Sequence, residues 1–81
     1  MNSPQRFRIK GPTIAMFLED ERQVARHLPQ GAVVLVDPAD LNRSDLIEAV
    51  WVQKNLNIRL FAQDIHTKAE RIEDRGPQPK E

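Results

Sequence analysis

Leu46 to Phe61, LIEAVWVQKNLNIRLF, is the stretch on which the fold turns. Asp45 with Glu48 three residues later has the chemistry of a helix N-terminus, while the density of Val, Ile and Trp is that of a strand. A helix would scatter Leu46, Ile47, Ala49, Val50, Trp51 and Val52 around most of its circumference, which a small chain buries poorly. Two strands joined by a short turn at Lys54 and Asn55 place Ile47, Ala49 and Trp51 on one face with Ile58 and Leu60. The hairpin is therefore the expected structure of this segment.

The same parity puts Val50, Val52 and Phe61 on the opposite face, interrupted by Glu48 and Arg59 at a spacing that allows a diagonal ion pair. A sheet apolar on both sides needs two covers. The whole chain has only 81 residues, enough for one core, so a second subunit is expected to supply the other. Val50, Trp51, Val52, Arg59 and Phe61 are accordingly the candidate ligand or interface residues. Trp51 has two readings, core anchor and ligand platform.

On either side of this hairpin, turn residues cut the chain into short pieces. Ala32 to Val36 is a buried strand, preceded by Leu28-Pro29-Gln30-Gly31, which fits a type I turn with Pro second and Gly fourth. Asp37 to Asp40 repeats the turn chemistry and leads into a polar loop ending at Ser44. Arg6 to Lys10 and Thr13 to Leu18 alternate at the strand period and are divided by Gly11 and Pro12. Glu19, Asp20 and Glu21 suit a solvated hairpin tip, and Arg22 to Leu28 reads as the returning strand. Beyond the hairpin, Phe61, Ile65, Ala69 and Ile72 form a helical stripe that Gly76 and Pro77 would stop. The alternative is a single helical turn capped by Asp64, followed by a final strand at Glu70 to Ile72. A single domain is expected over residues 6–75, with flexible tails at 1–5 and 76–81.

Twelve Lys and Arg balance twelve Asp and Glu, there is no cysteine, and 40% of residues are hydrophobic. Charge balance gives no overall field to attract nucleic acid or an anionic membrane. The lack of cysteine removes disulfides, thiolate nucleophiles, iron–sulfur clusters and the common structural zinc sites. No apolar run is long enough for a secretory signal or a membrane span, so a cytoplasmic protein without membrane contact is expected.

Arg6, Arg8 and Lys10 share one face of their strand. Cations repeating at this spacing could follow a phosphate backbone, making them the nucleic-acid candidates. The competing reading is that they guard an edge strand against pairing with another chain. Catalysis finds little footing: Ser3 and Ser44 have no sequence link to either histidine, His27 or His66, so no catalytic residue is assigned. Asp40, Asn42 and Ser44 match the first, third and fifth positions of a calcium loop. Asp45 then stands where a Gly is needed and Trp51 where a bidentate Glu is needed, so no metal site is assigned.

Short strands, regularly spaced turns and a helical turn beginning at Gln63-Asp64-Ile65 resemble a small SH3-like β-barrel. Leu46 to Ile65 is also similar to small bacterial proteins in which a strand ending in Trp precedes one ending in Phe-Ala-Gln-Asp-Leu. Neither resemblance implies an activity, because barrels of this type host many functions. Plasmid-borne type II dihydrofolate reductases are tetramers of barrels of similar size that use a Val-Gln-Ile-Tyr strand. The nearest segment here is Ile58-Arg59-Leu60-Phe61, and the chain contains no tyrosine. The expectation is thus a mostly β protein, an SH3-like barrel of about five antiparallel strands with a short C-terminal helical segment. In function it is expected to be a non-catalytic binding or assembly module without cofactors, forming a homo-oligomer through the hairpin and open to a protein or peptide partner. The alternative is a weak nucleic-acid binder using Arg6, Arg8 and Lys10.

Overall fold

The computed structural model describes residues 3–72, so the expectations for residues 76–81 and for a stop at Gly76 and Pro77 fall outside the described residues. Seven strands alternate with two short helical pieces. β1 (Gln5–Ile9), β2 (Thr13–Glu19), β3 (Arg22–Leu28) and β4 (Val33–Val36) precede a 3-10 turn at Pro38–Asn42. Then come β5 (Leu46–Trp51), β6 (Leu56–Phe61), α1 (Ala62–Lys68) and β7 (Ala69–Ile72). The protein is mostly β, and its strands form one antiparallel sheet in the order β3-β2-β6-β5-β4-β1-β7.

The expected strand number of about five is corrected to seven. The additional strands come from places where pattern is weak. β3 has a single fully buried residue, Leu28, and β7 is four residues long and has none. Among the described residues hydrogen-bonded closure of a barrel is not seen, since β3 and β7 end the series. The sheet is nonetheless strongly curled. β1 and β2 stand four strand positions apart, about 19 Å across a flat sheet. Only Lys10, Gly11 and Pro12 join them, a link that spans about 15 Å at most. The chain can make this connection only if the sheet wraps around its core.

One hydrophobic core lies inside that curl. Phe7, Ile9, Ala15, Phe17, Val34, Val36, Ile47, Ala49, Ile58 and Leu60 point inward at the alternate positions that strand parity requires, and Ala62 and Ile65 of α1 join them. β5 and β6 pair with the expected face parity, Ile47 opposite Leu60 and Ala49 opposite Ile58, which resolves residues 46–51 as strand. Ile47, Ala49, Ile58 and Leu60 on the inner side of this hairpin are buried together, which the helix could not do.

Three local expectations change. The turn after β5 spans Val52 to Asn55, with Trp51 paired to Leu56 and Asn55 at φ +55°, so it is longer than a Lys54-Asn55 turn. The turn before β4 moves one residue along: Ala32 N–H donates to Pro29 O, and Gly31 takes the positive φ of +95° that a type II turn demands of its third residue. After Phe61 both C-terminal readings apply in part. A seven-residue helix starts at Ala62, ahead of Asp64, and β7 replaces its expected continuation. Pairing with β1, Ile9 to Ala69 and Arg6 to Ile72, draws that segment out of the helix because it satisfies backbone groups that β1 would otherwise leave open.

Candidate interaction surface

The side of the sheet turned away from the core carries the candidate residues of the β5–β6 hairpin. Val50 lies opposite Asn57, Phe61 opposite Leu46, and Glu48 directly opposite Arg59, their charged groups 3.5 Å apart. The pair is therefore cross-strand, not diagonal, and it divides Val50 from Phe61. Phe61 is 49% exposed and Val50 half-buried.

Val52 is corrected. It sits in the turn, where its N–H donates to Val33 O at 2.8 Å, so it does not extend the Val50 side of β5. Trp51 belongs to the other face and packs against the core, its ring edge-on to Phe17 with centroids 5.9 Å apart. Its indole N–H donates to Gln53 Oε1 at 3.0 Å, and the Lys54 ammonium lies 6.0 Å from its ring centre. These contacts make Trp51 a core anchor at the rim.

The sequence reading missed the largest part of this face. β2 pairs with β6 through Met16–Arg59 and Phe17–Ile58, so Ile14, Met16 and Leu18 fall on the outer side beside the hairpin. Leu18 is 71% and Ile14 43% exposed. The signal was present in the alternation of TIAMFLE, whose inward set is Thr13, Ala15 and Phe17. What it lacked was the neighbour, since nothing local says that β2 lies against β6.

A groove of about 300 Å³ runs between β2 and β6, lined by Met16, Leu18, Gln23, Glu48, Asn57 and Arg59 among others. A more polar hollow of about 510 Å³ continues from it past Asp40, Arg43, Asp45 and Leu46. Each carboxylate in that hollow has a cation: Asp40 and Asp45 share Arg43 at 3.7 and 3.0 Å, and Glu48 has Arg59. Hydrogen bonding from Arg43 holds the Asp45 carboxyl below its ordinary range against a small desolvation, and raises Arg43. The hollow thus sets three carboxylates against two guanidinium groups.

The basic strand reads differently in three dimensions. β1 lies between β4 and β7, so it is no edge, and the edge-guarding explanation of its cations is withdrawn. Arg8 and Lys10 converge on Glu70 of β7 at 2.8 and 3.6 Å. Arg6 stands opposite Leu35 and Ile72 and is half-buried. The three candidates share a face as expected, but two of them share the one carboxylate of Glu70, which offsets part of their charge there.

His66 Nε2 is 2.9 Å from Leu41 O and ties α1 to the 3-10 turn, while His27 is exposed on β3. Among the described residues, no cluster of three or more His, Cys, Asp or Glu could hold a metal ion, and no helix is long and apolar enough to cross a membrane. No protein-family model, curated protein or solved structure matches the chain.

Proposed function

We propose that this chain is a non-catalytic binding and assembly module that associates with copies of itself through the outer face of β2, β6 and β5. We also infer that the series β6-β5-β4-β1-β7 makes up an SH3-like barrel, with the β2–β3 hairpin added along β6. The observation that carries the functional reading is the exposure of three large apolar side chains on one face, Ile14, Leu18 and Phe61, while the buried residues of α1 serve the core. Apolar surface of this kind is worth about 25 cal/mol for each Å² removed from water, so a partner that covers it gains directly. A second copy suits the charges as well. A two-fold axis through this face would set Glu48 toward Arg59 of the other copy and the reverse, which makes the ion pair self-complementary.

Light scattering across a concentration series tests the reading. The native chain is expected to show a mass above 9.3 kDa, and Leu18→Lys with Phe61→Lys to reduce it toward the monomer while the circular dichroism stays that of a β protein. A native chain that remains monomeric at millimolar concentration would overturn it.

A further inference from the structure

Among the described residues β3 ends the sheet, and its open edge has a definite hydrogen-bonding phase. The two-residue turn at Asp20 and Glu21 makes Glu19–Arg22 a pair that exchanges both backbone bonds, and the pattern then alternates along the strand. Arg22, Val24, Arg26 and Leu28 turn their N–H and C=O groups toward β2. Gln23, Ala25 and His27 turn theirs outward. Following the same alternation across the sheet, strand by strand, predicts backbone bonds from Val52 N to Val33 O, Ile9 N to Ala32 O and Lys10 N to Lys68 O, and all three are present at 2.7–2.8 Å.

We propose that this edge pairs antiparallel with the β3 edge of a second copy, centred on Ala25. Three registers bring outward-facing groups together near the middle of the strand. Centring on Val24 would set Arg22 against Arg26 of the other copy, and centring on Arg26 would set that residue against itself. Like charges directly opposed across strands are destabilising. Centring on Ala25 opposes Gln23 to His27, Val24 to Arg26 and Arg22 to Leu28, so no arginine meets an arginine. The small Ala25 side chain meets its own copy at the axis, where bulk would crowd. Arg26 is also bonded within its own chain to Glu19, at 2.7 Å for one of the two contacts, which lowers the positive charge it brings to the seam.

This contact is separate from the outer-face contact proposed above. It joins sheets edge to edge, and a chain using both surfaces builds beyond a dimer. One strand pair is small beside the roughly 1,600 Å² of a standard interface, so the edge contact alone is weak and exchanging.

The absence of cysteine allows a direct test. In the proposed register the two Ala25 Cα atoms are about 5.5 Å apart, within disulfide range, while the two Val24 Cα atoms lie beyond about 7 Å. Under mild oxidation Ala25→Cys is expected to form a disulfide dimer at least tenfold faster than Val24→Cys or the exposed control Gln30→Cys. Equal rates at all three positions, or fastest linkage at Val24→Cys, would overturn the proposal. Ala25→Pro provides the second arm, because it removes an outward N–H and leaves the β2–β3 bonds intact. Sedimentation of that variant is expected to lose the edge contact while the circular dichroism of the fold persists. Assembly abolished by Leu18→Lys and Phe61→Lys but unchanged in Ala25→Pro would retain the outer face and reject the edge.

Discussion

Gln53 closes one end of the molecule with a single side chain. Its Oε1 accepts from Val33 N–H at 2.8 Å and from the Trp51 indole at 3.0 Å, and its Nε2 donates to Gly31 O at 3.1 Å. The Val33 N–H has lost its regular strand partner where β5 turns away, so the amide substitutes for a missing ladder bond. Removing it leaves a backbone donor and an indole donor without their acceptor. Gln53→Ala is expected to lower stability by about 1–3 kcal/mol in urea denaturation, since an unsatisfied group costs more than the net value of the bond it made. A change within error would show that water replaces the amide at no cost. In sequence Gln53 is one polar turn residue among several. Its three partners come from two separate strands and a turn, so only the assembled fold reveals its role.

The β2–β3 hairpin is the element in which local preference and fold are most visibly at odds. Asp20 and Glu21 both take positive φ, at +50° and +65°, to match the twist of the strands they join. Asp tolerates this better than Glu. Only Met16 and Phe17 are paired to β6, so the tip of the hairpin is a two-stranded ribbon, a form that is marginal on its own. Arg26 reaches along the ribbon to Glu19 and holds its carboxyl below the ordinary range, chiefly through the hydrogen bond, with desolvation opposing and the guanidinium charge adding to the lowering. A carboxyl with a depressed folded pKa contributes stability that is present above its unfolded value, about 4.3, and is lost as the pH falls through the folded value. Stability measured between pH 5 and pH 3 is therefore expected to fall in the native chain and to fall less steeply in Arg26→Gln. Parallel slopes would mean that the contact is screened away in solution, as exposed pairs often are.

For the molecule as a whole, the proposed surfaces and the basic strand respond oppositely to salt. The outer face is mainly apolar, and Arg8 and Lys10 are partnered by Glu70. Contacts to phosphate weaken steeply as counterions are added, whereas apolar contacts hold or strengthen. Raising salt from about 50 to 500 mM, which shortens the screening length severalfold, is expected to leave the mass of the assembly unchanged or larger by sedimentation. Dissociation in this range would show that the assembly is held by charge and would direct attention back to Arg6, Arg8 and Lys10. The elongated shape, 47 × 25 × 24 Å, fits a compact curled body extended by the ribbon, and the two proposed contacts lie on that ribbon and beside it.

What the sequence determined by itself is the set of features that depend on short spacing. The alternation in LIEAVW and LNIRLF set the inner faces of β5 and β6, and the acidic run set the tip of the ribbon. Glu48 and Arg59 were legible as neighbours on one face, while their directly opposed pairing followed from the longer turn that the structure decided, because a two-residue slip leaves every side chain on its own face. Tertiary structure decided everything that depends on which strand lies beside which. β2 beside β6 turns Ile14 and Leu18 into part of the candidate surface, and β1 between β4 and β7 removes its cations from an edge. β7 exists as a strand because β1 offers it backbone partners, against a helical pattern that its own residues also satisfy. The physical reason is common to all three: strand period is written in neighbouring side chains, while backbone pairing is between groups every residue possesses and becomes specific only when the core closes.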